Sequence, residues 1–206
     1  MTPAVLAGLT GVLQGARHAL EPDHVTAVAT VMVEAPSPRR GMFYASCWGF
    51  GHASMLCLVG GPLVALSVEI PDRLAMGLEL VVGAMLVFLG VRALRPHGHA
   101  HGHAHEAPLH VRGRRPFAIG IVHGLAGSGA LAALIALGAP NVATGLLCLG
   151  LYAFGTVVGM VALAALAGPM FAHAGRFPAI AAHLTKVAGI ASIVMGVIWT
   201  VRTLLS

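Results

Sequence analysis

The chain has 206 residues, of which 57% are hydrophobic and only 9% are charged, and its mean hydropathy is +0.87. Soluble globular proteins carry about 25% charged residues, so this composition excludes an ordinary soluble domain and indicates an integral membrane protein. The net charge of +5 is explained by basic loops between apolar segments, so no nucleic-acid partner is expected.

Six apolar runs are each long enough to cross the roughly 30 Å hydrocarbon core of a bilayer as a helix. Strand-like alternation is absent from the sequence, and Ala, Leu, Val and Gly dominate, so we predict an all-α bundle and not a β-barrel. In chain order the runs lie near residues 3–33, 42–67, 74–94, 116–138, 142–168 and 180–204.

The first run contains the polar motif RHALEPDH, residues 17–24, within otherwise apolar sequence. Each ionisable group at membrane depth costs about 2.5–3.5 kcal/mol on insertion scales, so such a cluster predicts a function. His18 and Asp23 would stand about 140° apart on a straight helix, but Pro22 has no N–H to give to the carbonyl of His18. We therefore predict a broken helix that turns His18, Asp23 and His24 inward and frees a backbone carbonyl beside them.

Imidazole nitrogen with one or two carboxylate oxygens suits Ni²⁺, Co²⁺ or Zn²⁺, whereas Mg²⁺ and Ca²⁺ prefer all-oxygen sites. His52 in the second run and His123 in the fourth are further imidazoles that we expect to approach this site. Two alternatives remain: Asp23 could orient a histidine, or His18, Asp23 and Arg17 could form a buried salt-bridge network. Imidazole binds metal only when deprotonated, so metal affinity should fall below about pH 6.

A polar segment rich in Gly and His separates the first three runs from the last three, and we predict a cytoplasmic linker over residues 95–115. Its histidines form an auxiliary tract that favours Ni²⁺, Co²⁺, Zn²⁺ or Cu²⁺, with a plain soluble spacer as the alternative. The histidines are His97, His99, His101, His103, His105 and His110.

The second half of the chain echoes the first at a nearly constant offset. GARHAL, which begins at Gly15, matches GIVHGL, which begins at Gly120, and GFGH at 49–52 matches AFGT at 153–156. Because each copy holds three runs, an odd number, the second copy must lie upside down in the membrane, as in many transporters whose substrate site is at the bilayer midplane. The predicted three-helix repeats cover residues 1–94 and 116–206.

Basic residues are concentrated in the loops that follow the odd-numbered runs. By the positive-inside rule these loops face the cytoplasm of a bacterial inner membrane, which leaves both termini outside. The residues are Arg39, Arg40, Arg92, Arg95, Arg112, Arg114, Arg115 and Arg176.

RHALEPDH resembles the His-x4-Asp-His signature of the nickel/cobalt transporter family, and FGHAS, residues 50–54, resembles its second motif. VHGLAGSGAL, residues 122–131, resembles instead the shorter urease-accessory and hydrogenase-accessory membrane proteins. The resemblance implies a permease whose Ni²⁺ or Co²⁺ is the transported substrate, with no resident cofactor and no enzymatic activity. It implies His18, Asp23 and His24 as the core ligands.

Uptake is the favoured direction, and efflux is the alternative because exporters of the same ions also carry a His-rich central loop. An intramembrane serine hydrolase is the alternative from another class, since GLAGSGA places Ser128 in a glycine-rich segment near His123. Ala126 stands where the usual Gly-x-Ser-Gly order has its first glycine, which disfavours hydrolysis. Candidate partners are the metal ion, the lipid bilayer, a cytoplasmic metallochaperone and a second copy of the chain.

Overall fold

The fold is all-α, as predicted, with seven helices and no strand in the described ranges. A computed structural model describes residues 3–33, 35, 37–95 and 109–205, without the side chains of residues 3–7, 109–112, 127–134, 136 and 137. The predicted metal tract His97, His99, His101, His103 and His105 lies outside the described residues. The helices are α1 (Pro3–His18), α2 (Pro22–Val33), α3 (Pro38–Leu66), α4 (Asp72–Leu94), α5 (Leu109–Gly138), α6 (Val142–Ala174) and α7 (Pro178–Leu205).

Within the described residues, four helices are long and apolar enough to cross a membrane, namely α3, α4, α6 and α7. Helices α1 and α2 have 16 and 12 residues, so each alone is shorter than the about 20 residues that a bilayer requires. Large apolar side chains such as Phe50, Phe88, Phe154, Leu166 and Leu205 are exposed on the bundle surface. This surface and the four helices are compatible with a multi-pass membrane protein.

The first predicted run is broken, as expected, because α1 ends at His18 and α2 begins at Pro22. Proline suits the first position of a helix, where its missing N–H has no partner to lose. The predicted free carbonyl is wrong: the His18 carbonyl accepts a hydrogen bond from the Glu21 N–H at 3.0 Å. A tight turn that precedes Pro22 thus supplies the hydrogen bond to the carbonyl at the end of α1.

Helix α5 begins at Leu109, so the end of the predicted linker 95–115 is helical. Pro116 lies inside α5 and does not mark its start, and Pro169 lies inside α6, which continues to Ala174. A proline inside a membrane helix is tolerated where neighbouring groups satisfy the backbone that it frees. The apolar runs 116–138 and 142–168, which were bounded at these two prolines, therefore predicted helices that are too short.

Helix pairs pack through glycines that bring their backbones close together, α1 against α6 and α3 against α5. At each of four glycines an added Cβ would meet a backbone carbonyl of the facing helix. Small residues at such positions allow close helix packing in membranes, where burial of apolar area gives little drive for association. The contacts are Gly15 on Tyr152, Gly155 on Val12, Gly51 on Phe117 and Gly120 on Trp48.

Helices α4 and α7 form another tightly packed pair. A Cβ at Gly90 would meet the carbonyl of Gly189, and a Cβ at Gly196 would meet the carbonyl of Gly83. Glycine therefore faces glycine at two levels of this interface. The α4–α7 pair also contacts α2 and α5, and this arrangement closes the bundle around the residues of the polar motif.

Candidate metal centre

Five side chains that are distant in the sequence meet at one place inside the bundle. His18 is the last residue of α1, Asp23 and His24 lie in the first turn of α2, His52 lies within α3 and His123 within α5. The ring of His24 is central, with its centroid 4.4 Å from that of His18, 5.1 Å from that of His52 and 4.2 Å from that of His123. The break between α1 and α2 makes this convergence possible because it places His18 and His24 on facing sides of a turn.

The cluster, defined as His18, Asp23, His24, His52 and His123, is almost fully buried. His24 and His52 expose 0% of their surface, and Asp23 and His123 expose 3%. The His18 side chain is 15% exposed and is the most accessible member. Burial of a carboxylate and imidazoles is costly unless hydrogen bonds or a metal ion compensate for the lost water.

Asp23 links two of the histidines. Its Oδ2 lies 2.9 Å from His123 Nε2, and its Oδ1 lies 3.3 Å from His24 Nδ1, with the ring N–H as the donor in each contact. The Asp23–His123 contact joins α2 to α5. The partners of the Asp23 side chain that the structure describes are thus histidines, whereas Arg17, a member of the alternative salt-bridge network, is exposed.

Four buried imidazole nitrogens have no hydrogen-bond partner among the described residues: His24 Nε2, both nitrogens of His52 and His123 Nδ1. Most buried polar side-chain atoms in folded proteins have a partner, and each exception requires an explanation. Because Asp23 occupies Nδ1 of His24 and Nε2 of His123, each of these rings keeps its other nitrogen as a potential ligand. The donor chemistry therefore fits a borderline dication.

The ligand atoms form two groups of three, His18 with His24 and His52, and Asp23 with His24 and His123. In each group one ligand atom per residue lies within 4.8 Å of the others. Two nitrogen ligands of one Zn²⁺-like ion at about 2.1 Å stand up to about 4.2 Å apart, so small side-chain movements would complete either group. His24 belongs to both groups.

Two further carboxylates lie near the cluster, and both line one cavity with it. Glu21, in the turn between α1 and α2, places its Oε2 2.9 Å from His18 Nδ1, whereas Glu79 was not among the site residues predicted from the sequence. A cavity of about 260 Å³ is lined by all five cluster residues and also by Glu79 of α4 and Trp199 of α7. Glu79 lies at the end of an apolar run, a position that is typical of an interfacial residue, and only the packing of α4 turns it toward the cavity. The side chain of Ser128, the hydrolase candidate, lies outside the described residues.

No protein-family model and no solved structure matches the chain. A curated relative is the urease accessory protein UreH of Bacillus sp. (strain TB-90), which is 32% identical over 198 residues that cover 91% of this chain and 87% of the relative. The match confirms the resemblance to urease-accessory proteins of the nickel/cobalt transporter type, and it agrees with the expectation that the chain is not an enzyme. At this identity and coverage, the chain belongs to the family of the urease accessory protein UreH.

Proposed function

We propose that the chain is a multi-pass permease of a bacterial inner membrane that takes up Ni²⁺, and Co²⁺ as a second substrate, through the buried cluster. The observation that carries the proposal is the convergence of four imidazoles and one carboxylate with four partnerless nitrogens. Similarity to a protein named as a urease accessory protein supports a role in supplying nickel to a urease.

The donor set favours these ions over the abundant hard dications. Neutral imidazoles with one carboxylate suit Ni²⁺, Co²⁺ and Zn²⁺, while Mg²⁺ and Ca²⁺ require oxygen ligands and keep much of their water. Asp23 supplies one negative charge, which offsets part of the charge of the ion inside a medium of low dielectric. The imidazole ligands are uncharged when they bind the ion, and Glu21 adds a carboxylate beside His18, with Oε2 2.9 Å from His18 Nδ1.

Six membrane spans follow if α1 and α2 together form one interrupted span and α5 forms another beside the four apolar helices. A span interrupted at residues 19–21 is consistent with a binding site, because irregular backbone at membrane depth is tolerated where it lines a cavity. The cavity beside the cluster meets this condition. The break therefore supports both the span count and the location of the site.

The helix contacts support the two inverted repeats, 1–94 and 116–206. An axis that exchanges the halves requires each contact between them to recur with the halves exchanged. Gly15 packs on Tyr152 while its counterpart Gly120 packs on Trp48, and Gly155 packs on Val12 while Gly51 packs on Phe117. The glycine pairs of α4 and α7 obey the same exchange: 83 with 196, and 90 with 189.

In the proposed transport cycle one three-helix unit rocks against the other about the fixed cluster. The Asp23–His123 contact crosses between the units, so both an arriving ion and a rocking motion would change it. Basic loops on the cytoplasmic side leave both termini outside.

Uptake of radioactive nickel by cells that express each variant tests the proposal. His24→Ala should reduce uptake at least about tenfold, since it removes the residue common to both ligand groups. His183→Ala is the matched control, because His183 lies on α7 with an exposed side chain. Immunoblots of the membrane fraction verify equal amounts of each variant.

Two results would contradict the proposal. Normal uptake in His24→Ala would reject the cluster as the site. Lower nickel accumulation in cells that contain the wild-type protein than in cells that lack it would reject uptake in favour of efflux.

A further inference from the structure

Glu79 is a carboxylate that the cluster does not use. It lies within α4, is partly buried, and lines the same cavity of about 260 Å³ as the five cluster residues. Its Oε2 is 3.0 Å from the hydroxyl of Thr203 on α7, which is also 3.0 Å from the Trp199 carbonyl of its own helix, and Thr203 itself is buried. An ionisable residue that faces the interior of a membrane bundle and has a fixed partner indicates a function by default.

We infer that Glu79 is a capture group, which attracts a divalent cation into the cavity and holds it briefly before the ion reaches the cluster. This inference rests on the proposed transport function and adds a binding position outside the His-x4-Asp-His motif. The position is built by the third proposed span of each repeat, because Glu79 is on α4 and Thr203 is on α7.

The geometry leaves Glu79 able to bind an ion. An ionised carboxylate offers about four acceptor positions, and the Thr203 hydroxyl occupies one of them while it fixes the orientation of the group. In a cavity inside a helix bundle, the attraction between a carboxylate and a dication is stronger and less screened by salt than at an open surface. Oxygen from one carboxylate is nevertheless a weak and unselective ligand set, so the ion can move on to the nitrogen ligands.

The location of Glu79 indicates which end of the bundle the cavity serves. Glu79 is about 10 Å along α4 from Asp72 at the rise of 1.5 Å per residue, and Thr203 is in the last turn of α7. Both therefore lie near the end where α4 begins and α7 ends. The positive-inside rule assigns that end to the outside, so Glu79 stands on the side from which imported ions arrive.

Initial rates of nickel uptake as a function of nickel concentration test the inference. Glu79→Gln keeps the shape and the Thr203 contact but removes the charge, so the half-saturating nickel concentration should rise about three- to tenfold with a maximal rate within about twofold of wild type. The preference for nickel over zinc and manganese should not change, because the imidazoles of the cluster determine it. Glu69→Gln is the matched control, since Glu69 is an exposed carboxylate in the α3–α4 connection.

X-ray absorption of the nickel-loaded protein separates capture from ligation in the cluster. Glu79→Gln should keep the wild-type shell of nitrogen and oxygen ligands. If Glu79→Gln does not accumulate in membranes, Thr203→Val is the second variant. It retains the Glu79 carboxylate but removes the hydroxyl that orients it, so it should give a smaller rise in the half-saturating nickel concentration.

Unchanged half-saturation in Glu79→Gln, or an equal change in Glu69→Gln, would overturn the inference, and so would a lost oxygen ligand in the absorption spectrum. These results differ from a failure of the proposed function. That failure would be seen as absence of nickel uptake by the wild-type protein itself.

Discussion

His24 is the residue around which the cluster is arranged. Its Nδ1 faces Asp23 Oδ1 at 3.3 Å, and its ring lies nearly parallel to that of Trp48, at an interplanar angle of 7° and a centroid distance of 5.9 Å. A carboxylate that accepts from one ring nitrogen leaves the lone pair of the other nitrogen for a metal ion. Asp23 therefore determines the tautomer of His24 and presents Nε2 to the interior of the cluster.

Replacement of Asp23 by asparagine should weaken nickel binding about 10- to 100-fold, because the amide neither carries a charge nor holds the His24 tautomer as firmly. Isothermal titration of the detergent-solubilised protein measures the change. Asp72→Asn is the control, since Asp72 is exposed at the start of α4. Equal affinities of the Asp23 and Asp72 variants would contradict the assigned role.

Replacement of His123 by alanine should lower the free energy of unfolding by about 1–3 kcal/mol, because it removes the donor to a buried carboxylate oxygen. Thermal unfolding in detergent reports the loss. His123→Gln can still donate an N–H to Asp23, so it should recover part of the stability but less of the nickel affinity. A glutamine variant no more stable than the alanine variant would argue against the Asp23–His123 hydrogen bond.

The cluster residues could be predicted from the sequence because ionisable side chains stand out in an apolar run. Glu79 could not, since a glutamate close to the end of a run is equally compatible with the membrane surface. What decides its environment is the close approach of α4 and α7, which brings the Thr203 hydroxyl to the carboxylate. That approach depends on tertiary packing of glycines far apart in the chain.

At the scale of helices, the break at residues 19–21 has an electrostatic effect as well as a geometric one. It creates a second helix N-terminus, and Asp23 lies in the first turn of α2. The positive end of the helix dipole stabilises a carboxylate at such a position by about 0.3–1 kcal/mol, and by up to about 2 kcal/mol when it is partly buried. The break could be predicted from Pro22, but the turn that satisfies the His18 carbonyl could not, because it depends on the local path of the chain.

Proline alone does not predict where a helix ends in this chain. Pro62, Pro116 and Pro169 lie inside α3, α5 and α6, whereas Pro22 begins α2. In membrane helices a proline is tolerated where neighbouring groups satisfy the backbone that it frees, which depends on packing and not on the local sequence. This explains why the break was predicted correctly and the boundary of the linker was not.

A methyl group added at Gly155 should disturb the contact between α1 and α6, whereas one added at Gly150 of the same helix should not. A Cβ at Gly155 would meet the Val12 carbonyl, and a Cβ at Gly150 would meet nothing within 4 Å. Gly155→Ala should therefore separate α1 from α6 and lower the unfolding temperature, while Gly150→Ala should be neutral or slightly stabilising because alanine favours the helix. Thermal unfolding of both variants distinguishes them, and equal unfolding temperatures would contradict the close packing.

At the scale of the whole molecule, the proposed repeats are symmetric in packing but not in chemistry. His18 has His123 as its counterpart, but His52 of α3 has Thr156 of α6. Thr156 is fully buried, and its hydroxyl donates to the Tyr152 carbonyl of its own helix at 3.0 Å. Most of the cluster residues are therefore contributed by the first half, and the second half adds His123.

Deletion of residues 97–110 should change the metal sensitivity of cells that express the protein and leave the preference among metals unchanged. The reason is that the cluster residues all lie outside this segment, so selectivity remains with them. Growth across a nickel series and competition uptake with cobalt and zinc measure the two properties. Abolished uptake would instead make the segment part of the transport path.

Because His24 belongs to both ligand groups, both groups depend on the same imidazole. Two dications cannot share its one available lone pair, so in the proposed transport cycle the cluster would bind one ion at a time. Nickel and cobalt supplied together should then inhibit each other competitively, and each should lower the uptake rate of the other according to its own affinity.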